Sequence, residues 1–315
     1  MKKILYILTL ALISCENSVP FEGDEVTPKM VAYAFIDSES TTHSIILSQS
    51  KPIFFESENK IFYTPPPQIE VNGESVELSS DVESSEDMLR YTFDAEINEG
   101  DKIVFRSSSD QYGEVVAEDI VPSKIEIINV ETSWFQVDYI DYLRTNITID
   151  DIKGEDNFYR VVIRTKQEYS QPEYESFWGD KEILTDQEPL FSEIPITIMD
   201  DGESLSYRIF SDGAFKDGSY TLNLYFQEWK LQPTNFPPFD GGIPDDVVPE
   251  YDGEHFIEVE IQTISESLYR YLHSLELQDN QDYTMTPIEI YSNVAGGYGV
   301  VGAYNTTNKI ETLKY

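Results

Sequence analysis

From residue 29 onward, apolar and polar side chains alternate in short runs separated by turn-forming residues. A two-residue period marks a strand with one face buried. Val31–Ile36 and Ser44–Ser48 carry it first. Ile69–Val71 and Val76–Leu78 follow, with Asn72-Gly73 between them as a type I′ hairpin signal, because both residues accept positive φ. Arg90–Ala95, Lys102–Arg106 after the Asn98–Asp101 turn, and Glu114–Val121 up to Pro122 extend the series.

The alternation resumes in Thr145–Asp150, Phe158–Thr165, Ile194–Met199, Ser204–Phe210 and Tyr220–Trp229. It returns in His255–Thr263, Ile288–Tyr291 and Val300–Tyr304. One segment has a helical period instead: Leu268, Leu272 and Leu275 share a face beside Tyr271, with Ser265 as N-cap. The pattern predicts a mainly β protein with two β-sandwich domains of immunoglobulin or fibronectin type, over residues 29–122 and 123–315. One short C-terminal helix falls at about 265–278. Residues 232–253 hold Pro233, Pro237, Pro238, Pro244 and Pro249 among Gly and Asp, which excludes a central strand and makes a long loop. Phe236, Phe239 and Tyr251 on this loop and Trp229 beside it supply aromatics, making it the expected place for a ligand.

The start of the chain has its own logic. Lys2-Lys3, an apolar run Ile4–Ile13 and Ser14-Cys15 form a charged, apolar and small-residue series, the signature of an export leader. Leu12-Ile13-Ser14-Cys15 fits the bacterial lipobox, in which a small residue precedes the cysteine that receives lipid. Residues 1–14 are read as the leader, Cys15 as the lipid attachment site and 15–28 as a tether. The apolar run is shorter than the ~20 residues of a membrane span. Cys15 is the only cysteine, so stability comes from packing and not from disulfides.

Charge narrows the partners. Lys+Arg 21 against Asp+Glu 59 gives −38, and loss of Lys2 and Lys3 takes it to −40. That field repels nucleic acid and anionic headgroups and favours cations or basic surfaces. Asp150-Asp151, Glu155-Asp156 and Asp245-Asp246 offer hard oxygen ligands for calcium, without EF-hand spacing; solvated turns are the plainer reading. His43, His255 and His273 form no ligand-spaced pair, and no Gly-x-Ser-x-Gly elbow occurs. Gly297-Tyr298-Gly299-Val300-Val301-Gly302 spells a dinucleotide motif, but 13 residues remain after it, too few for that fold. A glycine turn feeding a strand packed close to other backbone is expected there.

Three phrases carry a resemblance. They are Glu155–Val161 (EDNFYRV), Phe210–Leu222 (FSDGAFKDGSYTL) and Ser292–Tyr304 (SNVAGGYGVVGAY). With the lipobox and the break near Val121-Pro122, the chain resembles domain of unknown function family 4249, with Tyr298 and Val301 where Leu and Phe are more usual. The resemblance implies an outer-membrane lipoprotein, encoded beside TonB-dependent receptors, with such a receptor as partner. It supplies no catalytic residue. A non-enzymatic accessory to nutrient capture or import is therefore expected; a calcium-stiffened adhesin or glycan-binding module is the alternative, and a carboxylate-pair hydrolase the third.

Overall fold

A computed structural model describes residues 27–51, 62–85, 87–168, 176, 178–184, 188–191, 207–228, 254–279 and 288–314. Within them the protein is mainly β, with three open sheets, one α-helix and no closed barrel.

The large sheet has nine strands. In chain order these are β1 (Met30–Asp37), β2 (Thr42–Gln49), β5 (Glu83–Ser84), β6 (Met88–Asp94), β11 (Phe158–Gln167), β12 (Trp178–Asp180), β13 (Tyr207–Ser211), β15 (His255–Ile264) and β16 (Tyr298–Thr312). A four-stranded sheet holds β3 (Gln68–Val71), β4 (Glu74–Val76), β7 (Lys102–Ser109) and β8 (Gly113–Ile120). A three-stranded sheet holds β9 (Ile127–Val137), β10 (Ile140–Asp150) and β14 (Ser219–Gln227). Helix α1 is Glu266–Asp279.

One face of the large sheet buries two cores. Ala32, Ala34, Ile36, Leu47 and Phe93 pack on Ile69, Ile103, Phe105 and Val115 of the four-stranded sheet. Tyr159, Val161, Ile163, Val259 and Ile261 pack on Leu143, Ile147, Leu222 and Leu224 of the three-stranded sheet. Strand alternation decides this: odd-numbered residues of β11 and β15 face the second core, so even-numbered ones face outward.

β16 joins the halves. Its first part runs parallel to β1, from Val31↔Tyr298 to Asp37↔Tyr304, and its second part runs antiparallel to β15, from Ile264↔Tyr304 to Phe256↔Thr312. Val301 and Ala303 enter the first core and Leu313 the second. The glycines of the last phrase permit this. A Cβ on Gly299, at φ +106°, would collide with the Ala32 carbonyl oxygen, so only glycine lets β16 reach β1. A Cβ on Gly302 would lie 2.8 Å from Leu268 Cβ, so its absence seats α1 on the sheet.

The Asn72-Gly73 hairpin forms as expected, with φ 53° and 83°. Ser265 caps α1, its Oγ accepting from Leu268 N at 3.2 Å; a cap of this kind contributes about 1 kcal/mol. One expectation needs correction, and one strand is new. Ile288–Tyr291 is not a strand; Ile290 and Tyr291 pack beside α1, and Tyr291 N donates to Ser274 Oγ at 3.0 Å. Ile127–Val137, not anticipated, is a full strand turning into β10 through Asp138 and Tyr139, at φ 49° and 68°. Ile194–Met199 and residues 232–253 lie outside the described residues.

Candidate functional site

Helix α1 covers part of the outward face of the large sheet. Helix α1 lays Leu268, Tyr271 and Leu272 over Ile264, Ile209 and Val300. Beside this apolar patch the register sets three polar residues in a row across β11, β15 and β16: Arg160 opposite Gln262, and Gln262 opposite Thr306. Directly opposed residues stand about 5 Å apart and on the same face. Arg160 Nε, Gln262 Oε1 and Thr306 Oγ1 are all buried without a hydrogen-bond partner. Gln262 is 3% exposed. Each unmet buried group costs about 1–3 kcal/mol, and three of them in one register row single the row out as the candidate site.

Neighbours hold the row in place. The Arg160 guanidinium sits over the rings of Tyr207 and Tyr304, 5.3 and 5.6 Å from their centroids. Burial pushes its pKa below the usual arginine range, opposed by Tyr304, Tyr207 and Glu260. Two residues along the outward face, Arg164 is saturated by carboxylates: Asp180 at 2.9 Å, Glu258 at 3.3 Å and Glu260 at 2.7 Å. Arg160 has no ion pair among the described residues, in a chain with 59 acidic residues. Gln262 Nε2 donates to Glu260 Oε1, which fixes the amide with its oxygen as the unmet atom. Asp37, opposite Tyr304 on β1, has its carboxyl pushed up by burial.

A cleft of 440 Å³ opens at the N-terminal end of the helix, between Lys102, Asp119, Asn157 and Ser267. Asp119 Oδ2 accepts from Ala303 N at 2.8 Å, and its side chain also meets Ser265 and Ser267. Burial pushes this carboxyl up to about 6. These bonds tie β8, β16 and the start of α1 together, a structural duty.

The first two family phrases meet at Asp151, itself buried. Asp151 Oδ1 accepts from the Tyr159 hydroxyl and from Asn157 Nδ2 at 3.4 Å, and Oδ2 accepts from Asp217 N at 2.8 Å. Asp217 Oδ1 takes Gly154 N at 2.7 Å, and Asp212 Oδ2 takes Asn157 N at 3.0 Å. The loop expected to be a solvated turn or a calcium site is thus partly buried and bonded to protein donors; Asp150 accepts from Ser219 and Asp156 from Lys216. No group of three or more His, Cys, Asp or Glu placed to hold a metal ion occurs among the described residues.

Of the residues singled out from the sequence, Cys15, Trp229, Phe236, Phe239 and Tyr251 lie outside the described residues, as do Asp245 and Asp246. The flanks of the long loop are described. Glu228, 2% exposed, accepts from Lys181 Nζ at 2.8 Å and Thr165 Oγ1 at 2.7 Å, with His255 Nε2 at 4.0 Å. Burial lowers the His255 pKa. His43 is buried beside Phe93, its Nε2 3.1 Å from the Ala95 carbonyl, and His273 stacks on Tyr269, so the histidines stay apart. The Arg160 row is not visible in the sequence because its members are far apart along the chain. The available cue is Arg160 between Tyr159 and Val161, a cationic residue in the apolar first half of β11.

No helix among the described residues is long and apolar enough to cross a membrane. No curated protein matches the chain. One similar solved structure, "Complete structure of manganese lipoxygenase of Gaeumannomyces graminis and partial structure of zonadhesin of Komagataella pastoris", is 10% identical over 75% of this chain and 88% of that chain. Its TM-score of 0.16 supports no argument about fold or activity. The family described as "Domain of unknown function (DUF4249)" matches residues 16–310, nearly the whole length, spanning all three phrases that pack around Asp151 and β16. The chain belongs to that family.

Proposed function

We propose that the protein is an exported lipoprotein, held at the outer membrane by acyl chains on Cys15, that assists a TonB-dependent receptor in capturing or importing a nutrient without catalysis. The observation that carries this reading is the lipobox Leu12-Ile13-Ser14-Cys15 behind Lys2-Lys3 and an apolar run. Each acyl CH₂ buried in a bilayer contributes about 0.8 kcal/mol, so several chains on one thiol anchor a large polar body. The receptor partnership rests on what the resemblance of the three phrases implies. We further infer that the two cores on the shared sheet belong to two sandwiches of immunoglobulin or fibronectin type. Such sandwiches are rigid bodies that present loops and sheet faces to partners.

Cells fed an alkyne-bearing fatty acid test the anchor. The mature chain takes up label, and Cys15→Ala loses the label and moves from the membrane to the soluble fraction. An unlabelled wild type, or an Ala variant that stays membrane-bound, refutes the anchor. Affinity capture from solubilised outer membranes tests the partner. Recovery of no receptor under several nutrient conditions counts against that half of the reading.

A further inference from the structure

We propose that Arg160, Gln262 and Thr306 form a binding site for a small carboxylate that carries a neighbouring hydroxyl or amino group. Three observations converge on this chemistry. Arg160 Nε–H is a buried donor with no acceptor, on a guanidinium held between two tyrosine rings and without a carboxylate partner among the described residues. The side of an arginine that carries Nε is a fork that fits a carboxylate. Gln262 Oε1, directly across the strands, is a buried acceptor with no donor, and Glu260 holds the amide in that orientation. Thr306 Oγ1, next in the row, can donate or accept.

Across the sheet, the row offers donor, acceptor and hydroxyl. A bare carboxylate satisfies the first and leaves the second unmet. A carboxylate with a hydroxyl or ammonium group beside it satisfies both, and the hydroxyl of Thr306 completes the set. Gln262 forms a buried floor, while Arg160 and Thr306 are half-buried and reach the surface on either side of it. The saturated Arg164 next door shows what Arg160 would look like with a protein carboxylate in place. The inference deepens the proposed function by naming a ligand class, and rests on that reading only for the ligand's role as a captured nutrient.

The full chain, labelled with ¹⁵N-arginine, is titrated with glycolate, glycine and acetate while the Arg160 Nε–H resonance is followed. Glycolate or glycine shifts it saturably, and acetate binds about tenfold or more weakly because it brings no donor for Gln262 Oε1. Arg160→Lys keeps the charge but not the fork, and loses saturable binding. Gln262→Leu narrows the gap between glycolate and acetate while the Arg160 resonance still responds. The proposal is overturned by an unmoved resonance, by equal affinity for acetate and glycolate, or by an ordered water as the sole partner of the row. Fatty-acid labelling reads the anchor separately. A chain that binds glycolate yet is never acylated sinks the lipoprotein reading and leaves this site standing; an acylated chain with an inert Arg160 does the reverse.

Discussion

Asp119→Asn gives the sharpest test of the energetics. Burial raises the Asp119 carboxyl from 3.8 to about 6 in the folded protein. The folded state therefore holds its proton more tightly than the unfolded chain does. Stability from this group is complete below pH ~4 and is lost as pH rises through about 6. Two units at about 1.4 kcal/mol each give about 3 kcal/mol, and partial exposure of the carboxylate reduces the expected loss to about 2 kcal/mol. Asparagine keeps one oxygen to accept from Ala303 N and has an amide NH2 that can donate to a serine hydroxyl, but it never ionises. The variant should match wild type at pH 4 and exceed it by about 2 kcal/mol at pH 7. Urea unfolding at pH 4, 5, 6, 7 and 8 on both proteins measures this. Glu276, raised to about 7, produces a decline of the same sign that persists in both proteins, so the diagnostic quantity is the difference between the curves. Parallel curves over pH 4–6, or a variant less stable at pH 7, would refute the burial argument.

Two further perturbations address packing and hydrogen bonding. Gly302→Ala places a methyl 2.8 Å from Leu268 Cβ and should cost about 1–3 kcal/mol in urea unfolding, whereas Gly213→Ala, whose nearest neighbour is Ser211 Oγ at 3.6 Å, should be near neutral. Asp151→Ala strips acceptors from the Tyr159 hydroxyl and from Asp217 N, and should cost about 3–5 kcal/mol, with early exchange of the Asp217 amide.

Local chemistry makes much of this fold readable. Asn72-Gly73 can hardly be anything but a tight hairpin, and Ser265 followed by Leu268, Leu272 and Leu275 states a helix start and its buried face. The glycine phrase announces close backbone contact, and Gly299 against Ala32 supplies it. What does not show is local irregularity and distant pairing. Strand β9 alternates poorly, with Ile128 51% exposed, and its turn uses Asp138-Tyr139, residues that take positive φ less readily than Asn-Gly. The pairing of β1 with β16 joins residues more than 260 positions apart, and no window of sequence contains both. The Arg160 row is hidden for the same reason: its chemistry exists only once three strands take their register.

The seating of β16 between β1 and β15 has a kinetic consequence. A ribosome releases β1 first and β16 some 260 residues later, yet β1 lacks one of its two neighbours until then. Loop closure over such a span is slow, so the nascent protein stays unlocked through most of its emergence and clasps shut in a late step that completes both halves at once.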